Sequence, residues 1–423
     1  MIKIKFLGAL NEIGNSGILI ESNSEKILLD YGLKVFENPP KTPLKVENVN
    51  YILLSHSHLD HSGYITYFSK NKTKIYALRA SKEITNILLR DNLKVLRQKK
   101  VNFPFNENDI SKTISKFRNV SYEKVFEKKS FSFKFIDSGH ILGASMIELE
   151  IDNKRILYTG DFKLKKTNLT FGCSFPEKNP DILIIEGTYW YKNLPERDKL
   201  EKEFINDIKE VLDKDGTILL PSLAVGRSQE ILTILGKYNI HKEVDIYLDG
   251  MVIEISKVYQ KFENYLNERK YFLEAFKNSI KVKRKAQRKE IIMKNDPKII
   301  ICGSGMLEGG PAEYYVKKIY NNENNAIFLT CYQVENTTGR ILLETGRLVT
   351  KDGFNKKVKS RYKLYEFSAH ADRSELFEFI EKVNPNIVFV VHGENLEKFE
   401  KELNERGIQA IAPTYENNLF ISP

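Results

Sequence analysis

The densest chemistry in the chain lies in the string His56-Ser57-His58-Leu59-Asp60-His61, which holds four groups able to bind a metal within six residues. Imidazole and carboxylate are ligands that zinc takes in catalytic sites. In an extended loop alternate residues point the same way, so His56 and His58 can hold one ion together. Asp60 and His61 are adjacent, diverge from that pair and are available to a second ion. The string therefore predicts a metal site.

Short apolar runs with strand character precede this string and every further candidate. The runs are 51–54 before His56, 131–136 before His140, 155–158 before Asp161, 182–185 before Glu186, 387–391 before His392 and 26–29 before Asp30. Ligands at the ends of many strands can converge on one rim of a sheet sandwich. Alone, each candidate would read as a structural histidine or a turn residue, but the string needs further ligands. We therefore expect His140, Asp161 and His392 to bind metal and Asp30 to orient a ligand.

At these residues the chain resembles the metallo-β-lactamase superfamily, and downstream it is similar to one branch, the β-CASP nucleic-acid hydrolases. The stretches 221–230, 303–310, 338–340 and 367–372 carry this second resemblance. Within the branch the chain resembles the archaeal and eukaryotic cleavage-and-polyadenylation-specificity-factor nucleases. His392 favours RNA over DNA as the substrate, because the DNA-processing subgroup typically lacks this histidine. Since the predicted first strand starts at the N-terminus, the longer archaeal members with KH domains are not expected.

The resemblance implies an α/β fold, the αββα metallo-β-lactamase sandwich, with an inserted α/β β-CASP domain. The expected domains are residues 1–190 and 366–423 for the sandwich and 191–365 for the insertion, with the active site in the cleft between them. The family resemblance also implies two zinc ions as cofactors. The first would be bound by His56, His58, His140 and Asp161, and the second by Asp60, His61, Asp161 and His392. Two such ions can activate a water and hold a phosphodiester for in-line attack.

By the same resemblance His370 is the candidate general acid, since an imidazole titrates near neutrality. Glu186 is expected to orient it, and Asp60 is counted with the catalytic residues as well as with the ligands. Two further stretches suit phosphates. The backbone of Gly303-Ser304-Gly305 can cradle an anion, and the arginines Arg227 and Arg340 offer forked donors. The alternative is that these glycines only make tight turns.

The composition fits a polyanionic partner, with a net charge of +10 and a pI near 9.1. The basic run 281–289 is open to two readings, a solvated helix face or an RNA contact. Three scattered cysteines do not form a disulfide framework and favour a reducing cytoplasm. No apolar run approaches the ~20 residues of a membrane span. The alternating residues 1–6 predict an edge strand rather than a signal peptide.

The sequence thus predicts a zinc-dependent ribonuclease of RNA processing or decay that acts on single-stranded RNA as a 5′→3′ exonuclease, an endonuclease or both. A homodimer and RNA-processing or transcription-associated proteins are further expected partners. One alternative is a hydrolase of the same fold that acts on a small ester or thioester, which would lack the inserted domain. Another is a non-catalytic subunit of an RNA-processing complex, which would lose ligands from the string.

Overall fold

The computed structural model describes residues 2–22, 25–415 and 419–421. The chain divides into two compact units. The sandwich unit comprises Met1–Lys166, Phe171–Asn193 and His370–Pro423, and the inserted unit comprises Thr167–Thr170 and Leu194–Ala369. The domain boundaries proposed from the sequence fall a few residues earlier, and they remain a prediction.

In its described residues, the sandwich unit begins with eleven strands and three helices. The strands are β1 (Ile2–Phe6), β2 (Ile18–Ser22), β3 (Glu25–Leu29), β4 (Tyr51–Leu53), β5 (Lys74–Leu78), β6 (Phe117–Val120), β7 (Val125–Glu127), β8 (Phe131–Asp137), β9 (Ser145–Ile151), β10 (Lys154–Tyr158) and β11 (Ile182–Glu186). The helices are α1 (Leu59–Ser62), α2 (Arg79–Gln98) and α3 (Glu107–Ser115), with a 3-10 turn at Ile65–Phe68.

The inserted unit follows β11 in the chain. Its helices are α4 (Arg197–Leu212), α5 (Arg227–Lys237), α6 (Met251–Lys261), α7 (Arg269–Asn278), α8 (Gln287–Met293), α9 (Gly310–Ile319) and α10 (Thr338–Thr345), with 3-10 turns at Ile240–Lys242 and Glu263–Tyr265. Its strands are β12 (Thr217–Pro221), β13 (Asp245–Asp249), β14 (Ile280–Val282), β15 (Lys298–Cys302), β16 (Ala326–Leu329), β17 (Arg347–Val349), β18 (Asn355–Lys357) and β19 (Arg361–Leu364). The chain then returns to the sandwich unit with α11 (Arg373–Val383), β20 (Ile387–Val391), α12 (Leu396–Glu405), β21 (Ala410–Ile411) and β22 (Leu419–Ile421).

Two seven-stranded sheets form the sandwich unit, in the orders β22-β1-β2-β3-β4-β5-β6 and β21-β20-β11-β10-β9-β8-β7. A buried apolar cluster joins residues of both sheets, among them Ile4 and Phe133. A second cluster packs α2 and α3 on the first sheet, and a third packs α11 and α12 on the second. Each sheet therefore has one face toward the other sheet and one toward helices, which is the predicted αββα sandwich.

The prediction of an edge strand at the N-terminus was wrong. In β1 the alternation of Ile2, Ile4 and Phe6 with two lysines buries one face, as the pattern requires. The strand nevertheless lies between β22 and β2, because the C-terminal strand adds to its outer side. Met1, the first residue of the predicted alternation, lies outside the described residues.

A six-stranded parallel sheet forms the centre of the inserted unit, in the order β14-β13-β15-β12-β16-β19. The charged residues 198–213 have helical composition and form most of α4. The charged residues 258–289 also have helical composition, and they form the end of α6, α7 and the start of α8, but β14 interrupts them. Ile280 is β-branched and pairs with Tyr247 at the edge of the sheet, so a strand is favoured there over a helix. Among the described residues, no helix is both long enough and apolar enough to cross a membrane.

Candidate active site

Three imidazole nitrogens and one carboxylate oxygen converge at the ends of β4, β8 and β10. Nδ1 of His58 lies 3.2 Å from Nε2 of His56 and 3.2 Å from Nε2 of His140. Oδ2 of Asp161 lies 3.5 Å from Nε2 of His56 and 3.7 Å from Nε2 of His140. Four ligands around a tetrahedral zinc ion at about 2.0–2.1 Å would lie roughly 3.3 Å from one another. The four donor atoms therefore have the spacing of one coordination shell.

A second group of four uses the other oxygen of the same carboxylate. Oδ1 of Asp161 lies 3.3 Å from Nε2 of His61 and 3.4 Å from Nδ1 of His392. Nε2 of His392 lies 3.4 Å from Oδ2 of Asp60. Within the described part of the chain, the buried Oδ1 atom of Asp161 accepts no hydrogen bond of acceptable geometry. A buried carboxylate oxygen that faces imidazoles without accepting a hydrogen bond is suited to a cation, so the donor set fits a metal here.

Asp30 is buried behind the second group, where it accepts four hydrogen bonds. The donors are the Ser55 backbone N–H at 2.6 Å, the Ser55 hydroxyl at 2.6 Å, the Tyr158 hydroxyl at 2.8 Å and Nδ1 of His61 at 2.8 Å. The bond to Nδ1 leaves Nε2 of His61 directed toward Asp161. A carboxylate that holds the far nitrogen of a ligand histidine fixes the ring and its tautomer. The structure thus gives Asp30 the contacts of an orienting residue, and its role remains a proposal.

Two backbone features hold the ligand loops close together. A Cβ atom added to Gly32 would lie 1.7 Å from the carbonyl oxygen of Asp60, so only glycine lets these segments approach. His392 adopts φ +52°, in the left-handed region, and its N–H donates to the carbonyl of Ala9 at 2.8 Å. A non-glycine residue in that region costs about 1–3 kcal/mol and persists only where the surroundings impose it.

The electrostatics of the cluster depend on opposite charges that burial brings together. Burial and the neighbouring imidazoles hold the pKa of His56 well below its ordinary value. Burial alone would lower the pKa of His61, but Asp161 and Asp30 outweigh it and raise that pKa well above the usual range. Burial would raise the pKa of Asp161, yet the imidazoles around it hold that pKa far lower. The buried anions therefore require cations, whether imidazolium or metal.

His370 and Glu186 form a third group beside Asp161. Nδ1 of His370 lies 2.9 Å from Oε2 and 3.1 Å from Oε1 of Glu186, and 4.0 Å from Oδ2 of Asp161. Glu186 ends β11, is buried, and accepts the N–H of Phe162 at 2.8 Å. Burial would lower the pKa of His370, but the carboxylates of Glu186 and Asp161 raise it to about 9. A protonated ring held at Nδ1 can deliver a proton through Nε2.

In the inserted unit, the predicted phosphate-binding residues lie in the loops and first helical turns that follow β12, β15 and β16. Arg227 is the first residue of α5, just after β12. Gly305 follows β15, and a Cβ there would lie 2.6 Å from Sγ of Cys331 and 3.1 Å from the Leu223 backbone nitrogen. The glycine is therefore required for close packing at this position. Ser304 is partly exposed in the same loop.

Arg340 is engaged locally by a neighbour in α10. Its Nε lies 2.5 Å from Oε1 of Glu344, four residues further along the helix, and its side chain is 38% exposed. An exposed pair of this kind contributes little to stability. The structure therefore brings Arg227, Ser304 and Gly305 to one edge of the sheet, whereas the guanidinium of Arg340 already has a carboxylate partner.

Gln333 and Cys331, which no sequence motif marks, connect these loops. Nε2 of the buried Gln333 donates to the carbonyl of Gly305 at 3.1 Å and to that of Cys331 at 2.8 Å. A Cβ on Gly339 would lie 1.8 Å from Oε1 of Gln333. Arg227 acts to lower the pKa of the Cys331 thiol, although burial dominates and raises it to about 11. Neither residue lies in a glycine-rich motif, so only the fold identifies them.

Three family models match the chain. Residues 228–342 match the Beta-Casp domain, and residues 355–413 match the Zn-dependent metallo-hydrolase RNA specificity domain. Residues 4–175 match the Anti-Pycsar protein Apyc1. The crystal structure of a protein of unknown function from Enterococcus faecalis V583 shares the fold over 98% of both chains, with a TM-score of 0.65 and 15% identity.

Curated relatives cover almost the whole chain. The probable RNase MJ4 of Methanocaldococcus jannaschii is 38% identical over 97% of this chain and 98% of its own length. The chain belongs to the β-CASP family. The RNase aCSPSF2 of Saccharolobus solfataricus is 33% identical over 99% of this chain and 85% of its own length. The transcription termination factor FttA of Pyrococcus abyssi is 30% identical over 93% of this chain and 67% of its own length.

Family membership confirms the resemblance drawn from the sequence. The match to a Zn-dependent metallo-hydrolase model and the two groups of four ligand atoms show a metal-dependent hydrolase. The match to the Beta-Casp domain also disfavours the small-ester alternative, for which the inserted domain was expected to be absent. All four candidate ligands of the string 56–61 belong to the two groups of ligand atoms. This disfavours the non-catalytic alternative, for which ligands were expected to be lost.

Proposed function

We propose that this protein is a zinc-dependent ribonuclease that hydrolyses the phosphodiester bonds of single-stranded RNA. The observation that carries the proposal is the position of Asp161, whose two oxygens face two separate groups of ligands while the His370–Glu186 pair lies beside it. Two metal positions next to a held imidazole are suited to phosphoryl transfer to water. The names of the relatives, two of them RNases, support RNA as the substrate.

Two zinc ions would be held by the two ligand groups. The first group is His56, His58, His140 and Asp161, and the second is Asp60, His61, Asp161 and His392. When bound, the ions would supply positive charge to the phosphoryl oxygens and lower the pKa of the attacking water. Asp30 would orient His61, and Tyr158 and Ser55 would in turn hold Asp30.

His370 would act as the general acid. In hydrolysis a water oxygen forms a bond to phosphorus, the bond to the departing ribose oxygen breaks, and that oxygen needs a proton. Glu186 holds Nδ1 of the ring, so His370 would deliver the proton from Nε2. Zinc ions nearby would lower the pKa of His370 from the value that the carboxylates alone impose. The carboxylate of Glu186 would then keep the ring protonated near neutral pH.

The inserted unit would bind the RNA backbone. Arg227 and the loop with Ser304 and Gly305 lie at the ends of parallel strands, the edge at which open α/β sheets bind ligands. Arg340 would join them by exchanging Glu344 for a phosphate. The net charge of +10 favours a polyanion in general. We further propose a cytoplasmic protein, in keeping with three free cysteines, with a homodimer and RNA-processing or transcription-associated proteins as partners.

Digestion of 5′-labelled linear RNA beside circular RNA tests this proposal and resolves the mode of cleavage. Cleavage of the circle requires endonuclease action, whereas release of mononucleotides from the labelled end shows 5′→3′ exonuclease action. Activity should disappear on chelation and return with zinc, and the Asp161→Ala variant should be inactive on both substrates. A purified zinc-loaded protein that leaves both RNAs intact but hydrolyses a small ester or thioester would overturn the proposal.

A further inference from the structure

A cavity of about 990 Å³ lies in the inserted unit between α6, α7, β14 and the turn that leads into α8. Its volume is at the upper end of the range for ligand sites in proteins, about 300–1,000 Å³. Apolar side chains, among them Ile253, Phe276 and Val282, form part of its lining. It lies at the C-terminal ends of β13 and β14, and none of the residues assigned above to metal or phosphate binding lines it.

The charge of this cavity is strongly positive. Seven lysine and arginine side chains line it against three acidic ones, a net formal charge of +4. Two of the three acidic groups are already paired: Glu254 with Lys257 at 2.8 Å, and Asp249 with Arg288. In the part of the chain that the structure describes, Lys283, Arg284 and Lys285 have no carboxylate partner, and all three are exposed. Unneutralised cations around a concave surface attract an anion.

The turn that carries these cations is held in place by hydrogen bonds. The side chain of Gln287 accepts the N–H groups of Lys283 and Arg284, both at 2.9 Å. Arg288 makes a two-pronged contact with the buried Asp249, at 2.7 and 2.9 Å, and the Tyr315 hydroxyl donates to the same carboxylate at 2.9 Å. This contact fixes the start of α8 to the end of β13. The basic turn is therefore pre-organised, which reduces the entropy lost when a ligand binds.

We propose that this cavity is an additional RNA-binding surface, which holds the phosphates of a single-stranded segment on the basic turn 283–285. The inference rests on the proposed ribonuclease function and extends it to a surface outside the metal and phosphate loops described above. The run 281–289 is not one helix face, since Lys281 lies in β14 and α8 starts only at Gln287, so the exposed cations 283–285 lie in the segment between them. Cationic grooves beside apolar surface are typical of proteins that follow a single strand.

A matched pair of triple variants tests the proposal. In the cavity variant Lys283, Arg284 and Lys285 are changed to glutamine. In the control variant Arg97, Lys99 and Lys100, which are exposed in the sandwich unit, are changed to glutamine, so the types and the number of charges removed are the same. Binding of a labelled single-stranded RNA oligonucleotide is measured by fluorescence anisotropy over a series of salt concentrations, with the full-length zinc-loaded protein.

The cavity variant should bind the RNA roughly tenfold more weakly. The slope of log affinity against log salt should fall by up to about 2, since each phosphate that the turn no longer neutralises reduces it by about 0.7. The control variant should bind as the wild type does. The Glu254→Gln variant, which removes an acidic group from the lining, should bind the RNA more tightly. Hydrolysis of a small chromogenic phosphodiester should be the same in all four proteins.

Each other outcome has a definite meaning. Equal RNA affinity for the cavity and control variants would overturn the proposal for the cavity, while cleavage of RNA by the wild type would leave the proposed function standing. A wild type that neither binds nor cleaves RNA would contradict the proposed function itself. ATP, tested at matched ionic strength, separates a free nucleotide from a strand. If the cavity variant loses binding of ATP but keeps that of RNA, the cavity binds nucleotides and the RNA proposal is wrong.

Discussion

The metal-ligand cluster of the sandwich unit and the glycine-marked loops of the inserted unit differ in the burial of their charged groups. In the cluster, His56, His61 and Asp161 are almost fully buried, and their polar atoms face one another at 3.3–3.5 Å. In the loops, Arg340 is 38% exposed and has a carboxylate partner of its own. The buried ligands of the cluster are therefore hard to explain without a cation. The residues of the loops can be explained by packing alone.

The physical reason for this difference is desolvation. A buried charge is costly unless an opposite charge or a metal compensates it, so a dense group of buried ligands persists only with a cation. An exposed arginine has no such penalty, and its ion pair contributes little to stability. A functional role is consequently much better supported for the cluster than for the loops, and substitutions should rank in the same order, from the largest effect to the smallest.

Replacement of Asp161 should have the largest effect, because its two oxygens face both ligand groups. The Asp161→Ala variant should lose most of its zinc, compared with about two ions per chain in the unchelated wild type, and RNA hydrolysis should fall to background. Metal analysis of the purified proteins checks this, with circular dichroism to confirm folding. A folded variant that keeps one zinc ion and full activity would contradict the shared role of Asp161.

The second largest effect should come from His370, which the geometry places beside the cluster rather than in it. The His370→Ala variant should keep most of its zinc and still bind RNA, while its turnover falls by about 10²–10⁴-fold, the usual contribution of a positioned proton donor. A substrate with a better leaving group at the scissile phosphate should recover part of that loss. If the variant instead loses zinc and unfolds, His370 has a structural role.

A smaller effect is expected from replacement of Asp30, whose carboxylate contacts the ligand His61. The Asp30→Asn variant keeps the shape of the side chain but loses the charge that holds Nδ1 of His61, so zinc affinity should fall by about 10–100-fold. Competition with a metal chelator measures this affinity. Tyr158→Phe is the matched control, because it removes one hydrogen bond to Asp30 and leaves the carboxylate. Equal losses for the two variants would show that the hydrogen-bond network, and not the charge on the imidazole, sets the affinity.

The fold and the juxtaposition of the ligands followed well from the sequence. The string places four ligands within six residues, and short apolar runs before His140, Asp161 and His392 mark strand ends that meet on one side of a sandwich. The edge position assigned to β1 was wrong because its partner β22 comes from the other end of the chain, and no local pattern reports such a pairing.

The inserted unit was less predictable for two reasons. The charged run 258–289 has helical composition, and the three residues of β14 within it are recruited to the sheet by pairing with β13. Gln333 and Cys331 connect the loops through contacts between residues far apart in the chain, which no motif marks. The choice between tight turns and phosphate contacts is likewise undecided by residue types, because glycine serves both.

The smallest effects are expected at Arg227 and Arg340, and they test whether the edge of the sheet at β12, β15 and β16 binds RNA. The Arg227→Ala and Arg340→Ala variants should each raise the apparent substrate constant for RNA a few-fold and reduce the slope of log affinity against log salt by about 0.7. Zinc content and the slow hydrolysis of a small phosphodiester should change little, since these depend on the sandwich unit alone.

The structure sharpens this last prediction for Arg340, whose guanidinium is held by Glu344. If Arg340 must leave Glu344 to bind phosphate, the Glu344→Gln variant should bind RNA more tightly than the wild type, and the double variant with Arg340→Ala should lose that gain. Steady-state kinetics on RNA and on the small phosphodiester provide the comparison. Equal losses on both substrates would mean that the arginines support the fold or the metal site. RNA recognition would then have to be assigned to other residues than these loops.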